Sequence, residues 1–258
     1  MASVFKSGTW LVRHLIEDLT GLAWNEPEIC PGEMNYGDPS LIEFKPGYFF
    51  SWHSEPSEAV RRMLVAENAK VVMLTRNVYD LAISMYRHFA NDIDNEIGRG
   101  AGQRQLFESM TRGQGLALTI CGAQSPTFEW VGMGPHFRQM QSMLEFSLEY
   151  PCCVMSFEKL FSDRQGEILR LAQYLDIEMD GARLEAVCAA SNFDAMKAHG
   201  QQLGLGSHFQ EGKPGRHADM LDKYHVHMIR HLLRTYAPGL TGLAHQTGMP
   251  EIVSCMIE

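Results

Sequence analysis

Apolar positions along this chain follow two alternating rhythms. Leu11, Leu15, Leu19 and Leu22, joined by Val12 and Ile16, recur at spacings of three and four, which predicts an amphipathic helix with Gly21 as its stop. The segment GYFFSWH (47–53) reads as a strand, and SEPSEAVRRMLVAENA (54–69) as a helix with a serine cap, a proline and an acidic first turn. KVVMLT (70–75) is a short unbroken apolar run, the pattern of a strand buried on both faces. RNVYDLAISMYRHFAN (76–91) then predicts a helix, with Asn77 as N-cap and Asp80 near its third position. The helical rhythm returns at 136–150, CCVMSF (152–157) reads as another strand, and helices are expected at 163–176, 181–190 and 219–236. Residues 25–46 read as an irregular connection and 199–217 as a glycine-rich loop.

Short buried strands alternating with helices predict an α/β fold with a central parallel sheet flanked by helices. No linker-like stretch or internal repeat interrupts the chain, so a single domain over 1–258 is expected. Residues 92–131 are glycine-rich, polar and too long for a simple connector. They are expected to form a lid or insert at an acceptor site. Ligands of parallel sheets sit beyond the carboxyl ends of the strands. That rule gathers Lys6–Trp10, His53 and Arg76–Asn77 along one edge, because each directly follows a predicted strand.

A formal net charge of −9 argues against general nucleic-acid binding and against adhesion to an anionic membrane, while leaving room for a local basic pocket. No apolar run approaches the roughly 18 residues of a membrane span, and the first residues lack the basic flank and apolar core of a signal peptide. The six cysteines have no paired metal spacing, and the adjacent Cys152 and Cys153 point to opposite faces of a strand. A reduced, cytoplasmic protein is expected. The 16 methionines read first as adaptable core filler.

Lys6-Ser7-Gly8-Thr9 couples a helix start to a lysine and two hydroxyls, a combination suited to a multiply charged anion. It is not a Walker A loop, and an ordinary strand–turn–helix with a solvated lysine would also fit. In Arg76-Asn77-Val78-Tyr79-Asp80-Leu81-Ala82-Ile83-Ser84, Asn77, Asp80 and Ser84 share a helical face, so Arg76 and Ser84 could clamp a phosphate. A capping box with a surface arginine fits as well. His53 follows an apolar strand at the same edge. It suits a general base, and a strand-end histidine satisfied by backbone groups fits as well.

Taken in order, Phe5-Lys6-Ser7-Gly8-Thr9-Trp10 and Arg76–Ser84 resemble the two signatures of the sulfotransferases that use 3′-phosphoadenosine-5′-phosphosulfate (PAPS). The second stands in register apart from Val78 in place of a proline. The resemblance continues in patches through VMSFEKLF, SNFDAMKAH and FQEGKPGRHADML. It implies a P-loop-like sulfotransferase fold with Lys6, Ser7, Gly8 and Thr9 on the 5′-phosphosulfate and Arg76 and Ser84 on the 3′-phosphate. It also implies Trp10 and Phe193 beside the adenine, and Phe157, Met196, Gly212 and Lys213 in further cofactor-binding segments. His53 would be the base and Lys6 would stabilise the leaving oxygen. The first signature is one residue short before its tryptophan, which puts Trp10 where a threonine usually stands. Phe157 replaces a tyrosine, and Gln210 and Glu211 replace basic residues, a charge that Lys213 or Arg216 could restore.

The expected activity is in-line sulfuryl transfer from PAPS to a small-molecule hydroxyl or phenol, without a metal. His225, His227 and His231 lack a carboxylate at useful spacing for a metal site. Two other readings remain, a P-loop-like small-molecule kinase and a catalytically silent nucleotide-binding relative. The pattern of residues fixes neither the acceptor nor the oligomeric state.

Overall fold

The unbroken apolar run at 70–75 forms the middle of a parallel sheet. The structure, a computed structural model, describes residues 1–24, 44–53, 55, 57–91, 103–125, 128–202 and 213–257. In chain order the elements are β1 (Ala2–Ser3), α1 (Thr9–Thr20), β2 (Ala23–Trp24), β3 (Tyr48–Phe49), α2 (Glu58–Ala66), β4 (Val71–Thr75) and α3 (Val78–Ala90). Then follow α4 (Gln103–Glu108), α5 (Arg112–Cys121), β5 (Ala123–Ser125), β6 (Phe128–Trp130), α6 (Gly134–Glu149), β7 (Cys152–Ser156), α7 (Phe157–Ser162) and α8 (Arg164–Tyr174). The last are α9 (Gly181–Ala190), α10 (Phe193–Gln202), α11 (His217–Met220), α12 (Lys223–Tyr236), α13 (Leu240–Gln246) and a 3₁₀ turn at Pro250–Ile252. The chain divides into two compact units, Met1–Arg76 with Ser142–His199, and Asn77–Gln141 with Gly200–Glu258.

The first unit holds the parallel sheet, in the order β1-β4-β7. Val71–Thr75 pairs residue for residue with Cys152–Ser156, and Ala2 and Ser3 lie opposite Met73 and Leu74. All five residues of β4 are buried, as an unbroken apolar strand requires. Beyond β1, Trp52 extends the parallel pattern through an isolated bridge to Ala2, with Ser3 N–H donating to Trp52 O at 3.1 Å. That bridge fixes the backbone next to His53. β2 and β3 make a separate parallel pair.

The predicted stripe of α1 packs as expected: Val12, Leu15, Ile16 and Leu19 join Val72, Leu74, Met155, Leu160, Ile168 and Leu171 in one apolar core. Complete burial of Leu15 removes a side chain worth about 2 kcal/mol from water. Gly21 ends the helix in the left-handed region (φ 69°), its N–H donating to Glu17 O at 2.8 Å.

Side-chain caps move several element boundaries from their sequence-based positions. The serine that starts α2 is Ser57, whose hydroxyl accepts from Val60 N–H at 3.3 Å, so the helix begins at Glu58. Ser156 caps Lys159 N–H at 3.2 Å, which ends β7 one residue early and makes Phe157 the first residue of α7. The expected helix at 219–236 begins at Lys223, because Asp222 caps it by accepting from Tyr224 and His225 N–H. The irregular connection expected at 25–46 lies outside the described residues from 25 to 43.

The second unit is built around α3, whose residues are buried on nearly every side and which packs on α4, α5, α11 and α12. Asn77 Oδ1 caps it, accepting from Tyr79 N–H at 2.9 Å and Asp80 N–H at 3.1 Å. The described part of the expected lid or insert at 92–131 contains α4, α5 and the antiparallel pair β5–β6. Trp130 is seated there between Phe89 (4.8 Å between centroids) and the stacked ring of His136 (5.2 Å), and its indole donates to Thr119 O at 2.6 Å. His225 is engaged in the start of α12 and contacts Gly113 O at 3.0 Å. Among the described residues, no helix is long and apolar enough to cross a membrane.

Candidate active site

The turn from β1 into α1 is unusual backbone. Lys6 has φ 65° and Gly8 φ 103°, so the chain enters the left-handed region twice within three residues. Ser7 shapes the turn from within: it is fully buried, its hydroxyl donates to Val4 O at 2.6 Å and its N–H to the same oxygen at 3.1 Å. Both bonds engage Ser7 in the turn itself. The N-cap residue of α1 is Gly8, which has no side chain to cap it. The N–H groups at its start, from Gly8, Thr9 and Trp10, have no intrahelical acceptor and carry the positive end of the helix dipole.

Gly8 is fixed by its neighbours as well as by its φ angle. A Cβ at this position would lie 2.9 Å from Cδ2 of Phe157. The ring of Phe157, held by the Ser156 cap, thus packs directly under the loop. Over the same ring, at 4.4 Å, lies the guanidinium of Arg76, and Arg76 Nη1 donates to Lys6 O at 3.0 Å. Lys6, Gly8, Arg76 and Phe157 are therefore brought together within the first unit. The order of β1, β4 and β7 explains why: Arg76 and Phe157 directly follow β4 and β7, and Lys6 and Gly8 lie in the turn that leads from β1 into α1.

His53 joins the same edge. Its Nδ1 lies 2.8 Å from Ser3 O and 3.0 Å from Ser3 Oγ, and Ser3 Oγ lies 3.0 Å from Thr9 Oγ1. Phe5 meets the imidazole edge-on, with centroids 5.9 Å apart. Ser3 was not among the sequence candidates. The available signal was a small polar residue in an otherwise apolar strand, three positions before Lys6.

Trp10 turns along α1. Its ring meets Trp24 at 6.1 Å, and both face the guanidinium of Arg13, which lies 5.0 Å from Trp10 and 3.7 Å from Trp24. Arg13 is buried and donates from Nε and Nη2 to Ser51 Oγ at 2.9 and 2.6 Å. It thereby ties the helix after the loop to the segment before His53. Phe193 is half-buried and Met196 buried, both on α10 of the first unit. Ser84, half-buried on α3, and the exposed Lys213 belong to the second unit, while Gly212 lies outside the described residues.

In the second unit, Asp80 is buried and receives hydrogen bonds from Gly215 N–H, His217 N–H and the His217 ring. Burial opposes its charge, but these donors outweigh it and hold the carboxyl below its ordinary range. Asn77 reaches further along the chain, its Nδ2 donating to Glu251 O at 2.7 Å and Ser254 O at 2.8 Å. Sequence reasoning placed Asp80 on a helical face but had no signal for His217 as its partner.

Comparisons with solved structures place the fold. The mouse sulfotransferase SULT7A1 complexed with PAP superimposes with a TM-score of 0.69 at 16% identity, covering 96% of this chain and 86% of that one. Retinol dehydratase in complex with androsterone and inactive cofactor PAP gives a TM-score of 0.59 at 17% identity, covering 91% and 79%. The same dehydratase with retinol and PAP gives 0.57 at 16% identity, covering 92% and 81%. The sulfotransferase domain model matches residues 47–232, a span that begins after the Lys6 loop and takes in His53, Arg76 and Phe157. By that match, over well more than half its length, this chain belongs to the sulfotransferase family of enzymes.

Proposed function

We propose that this enzyme moves a sulfuryl group from PAPS to a hydroxyl of a small-molecule acceptor, with His53 as general base. The observation that carries the reading is the convergence of the α1 N-terminus, Lys6 and Arg76 on one loop within the first unit. Helix-start N–H groups beside a lysine and a guanidinium fit a phosphate-bearing donor. The PAP held by the mouse sulfotransferase and by retinol dehydratase supports a donor of that kind, and the androsterone and retinol of the latter support an apolar acceptor.

In this reading the acceptor oxygen attacks sulfur, its proton passes to His53, and the bond from sulfur to the bridging oxygen breaks in line with the attack. Lys6 and the N–H groups of the loop stabilise the charge that develops on the leaving oxygen. Arg76 takes the 3′-phosphate with its forked donors, and Phe157 supports both the loop and the guanidinium. Ser84 and Lys213 are proposed as phosphate ligands from their motif positions, and Phe193 and Met196 as contacts of the nucleotide base. Trp10 is proposed for the same base, with its setting against Arg13 and Trp24 directing it sideways along α1. The described part of 92–131 is proposed to cover the acceptor, and a reducing, cytoplasmic location is proposed from the free thiols of Cys121, Cys152, Cys153, Cys188 and Cys255.

The test is thermal stabilisation by PAP, by ATP with magnesium and by buffer alone, followed by sulfate-transfer assays across phenols, sterols and other alcohols. Stabilisation by PAP together with transfer to one acceptor class is expected. Stabilisation by ATP with magnesium alone would overturn the reading in favour of a kinase, and PAP binding without any transfer would point to a silent relative.

A further inference from the structure

The contacts of Ser3 fix more than a position. A carbonyl oxygen can only accept a hydrogen bond, so the 2.8 Å contact between Ser3 O and His53 Nδ1 places a proton on Nδ1. Nε2 is then the basic nitrogen of the ring. Ser3 Oγ, 3.0 Å from the same Nδ1, meets that N–H and acts as a second acceptor. Ser3 Oγ also lies 3.0 Å from Thr9 Oγ1, a contact that either hydroxyl can donate. Thr9 is the first residue of α1, beside the backbone N–H groups that open onto the Lys6 loop. Ser3 is fully buried and Thr9 nearly so, which keeps competing water from both oxygens.

We propose that Ser3 is a positioning residue that sets the tautomer of His53 and orients a one-way hydrogen-bond chain. The chain runs from His53 Nδ1–H to Ser3 Oγ–H to Thr9 Oγ1–H, and its last proton is presented to the anion held by the Lys6 loop. The inference rests on the reading of His53 as base and of that loop as the phosphosulfate site. It adds a coupling between the two. When Nε2 takes the acceptor's proton, the ring becomes an imidazolium and Nδ1–H becomes a stronger donor. No proton travels along the chain; its dipoles reinforce one another towards Thr9 as charge builds on the leaving oxygen.

The test uses the full chain, with Ser3→Ala to remove the middle of the chain and Ser3→Thr to keep it. Nitrogen-15 spectra of the labelled imidazole are expected to show Nδ1 protonated in the wild type. Ser3→Ala is expected to lower kcat about tenfold while PAP affinity changes less than about threefold. Its acid limb of kcat/KM should move to lower pH, because the imidazolium loses an acceptor. Ser3→Thr should restore both. A wild-type ring protonated on Nε2 rather than Nδ1 would overturn the inference, and so would an unchanged kcat and acid limb in Ser3→Ala. The spectrum decides the tautomer even if no sulfate transfer is found, so failure of the proposed reaction and failure of this inference are separately visible.

Discussion

Asp80 and His217 are joined twice, through the His217 backbone N–H and through its Nδ1–H, both 2.9 Å from Asp80 Oδ1. The other nitrogen of the His217 ring is also engaged, since Nε2 accepts from Met256 N–H at 3.3 Å. One carboxylate at the start of α3 therefore organises the Gly215–His217 turn and, through the imidazole, the segment at Met256. Asp80→Ala leaves several donors without their acceptor. Removing one partner of such a buried group costs about 3–5 kcal/mol, and at this chain length each kcal/mol lowers the melting temperature by about 2–4 °C. A fall of roughly 6 °C or more in calorimetry is expected. Asp80 titrates below its ordinary value in the folded chain, so its contribution is present above the unfolded carboxyl pKa and disappears as pH falls through the folded one. Asp80→Asn should lose that acid-dependent part. A melting temperature unchanged in both variants would contradict the arrangement.

Gly8 combines a positive φ with a contact that excludes a side chain. Gly8→Ala meets two penalties, a left-handed backbone that costs an L-residue about 1–2 kcal/mol and a collision with the Phe157 ring. PAP affinity should fall at least about tenfold, the equivalent of 1.4 kcal/mol. Adding Phe157→Leu relieves the collision and leaves the backbone penalty, so titration calorimetry of the double variant should recover only part of the loss. Wild-type affinity in Gly8→Ala would show that the loop does not carry the nucleotide.

How much of this was legible beforehand depended on whether the signal was local. The stripe of α1, the apolar run of β4 and the Gly21 stop follow from neighbours in sequence, and they stand where the pattern put them. The edge shared by Lys6, His53 and Arg76 followed from one rule about parallel strands. What escaped were pairings set by tertiary contact. Ser3 with His53 spans 50 positions and Asp80 with His217 spans 137, and nothing in periodicity links residues so far apart. Phe157 was expected in a strand, but a single hydroxyl, Ser156 Oγ, turned the chain into a helix one residue earlier. Sequence spacing placed Trp10 at the loop without showing that Arg13 would hold its ring beside Trp24.

His136 gives a second acid response, of separate origin. Burial lowers its pKa from 6.5 to about 4, against a hydrogen bond with Gln139 that favours the charged form. The unfolded chain therefore binds a proton that the folded chain refuses between those two values. This contribution is complete above about pH 6.5 and is lost as pH falls towards about 4, at up to about 1.4 kcal/mol per pH unit. His136→Phe keeps a ring against Trp130 and removes the proton site. Urea titrations at pH 7 and pH 5 should show a smaller difference in stability for His136→Phe than for the wild type; an equal difference would assign the effect elsewhere.

His53 carries the strongest functional prediction. Removing a positioned base costs about 10²–10⁴ in rate, whereas an imidazole that merely fills the edge of Phe5 and bonds to Ser3 would cost stability instead. His53→Ala should therefore lower kcat for sulfate transfer by about that factor and leave PAP affinity near the wild-type value. His53→Gln separates the two roles further, because its amide can keep a hydrogen bond to Ser3 O but cannot accept a proton at neutral pH. Low kcat in both variants, with melting temperature restored by glutamine alone, is the expected pattern in steady-state kinetics and thermal melts. Normal turnover in His53→Ala would remove this residue from the chemistry and leave the Lys6 loop and Arg76 as a binding site in search of another base.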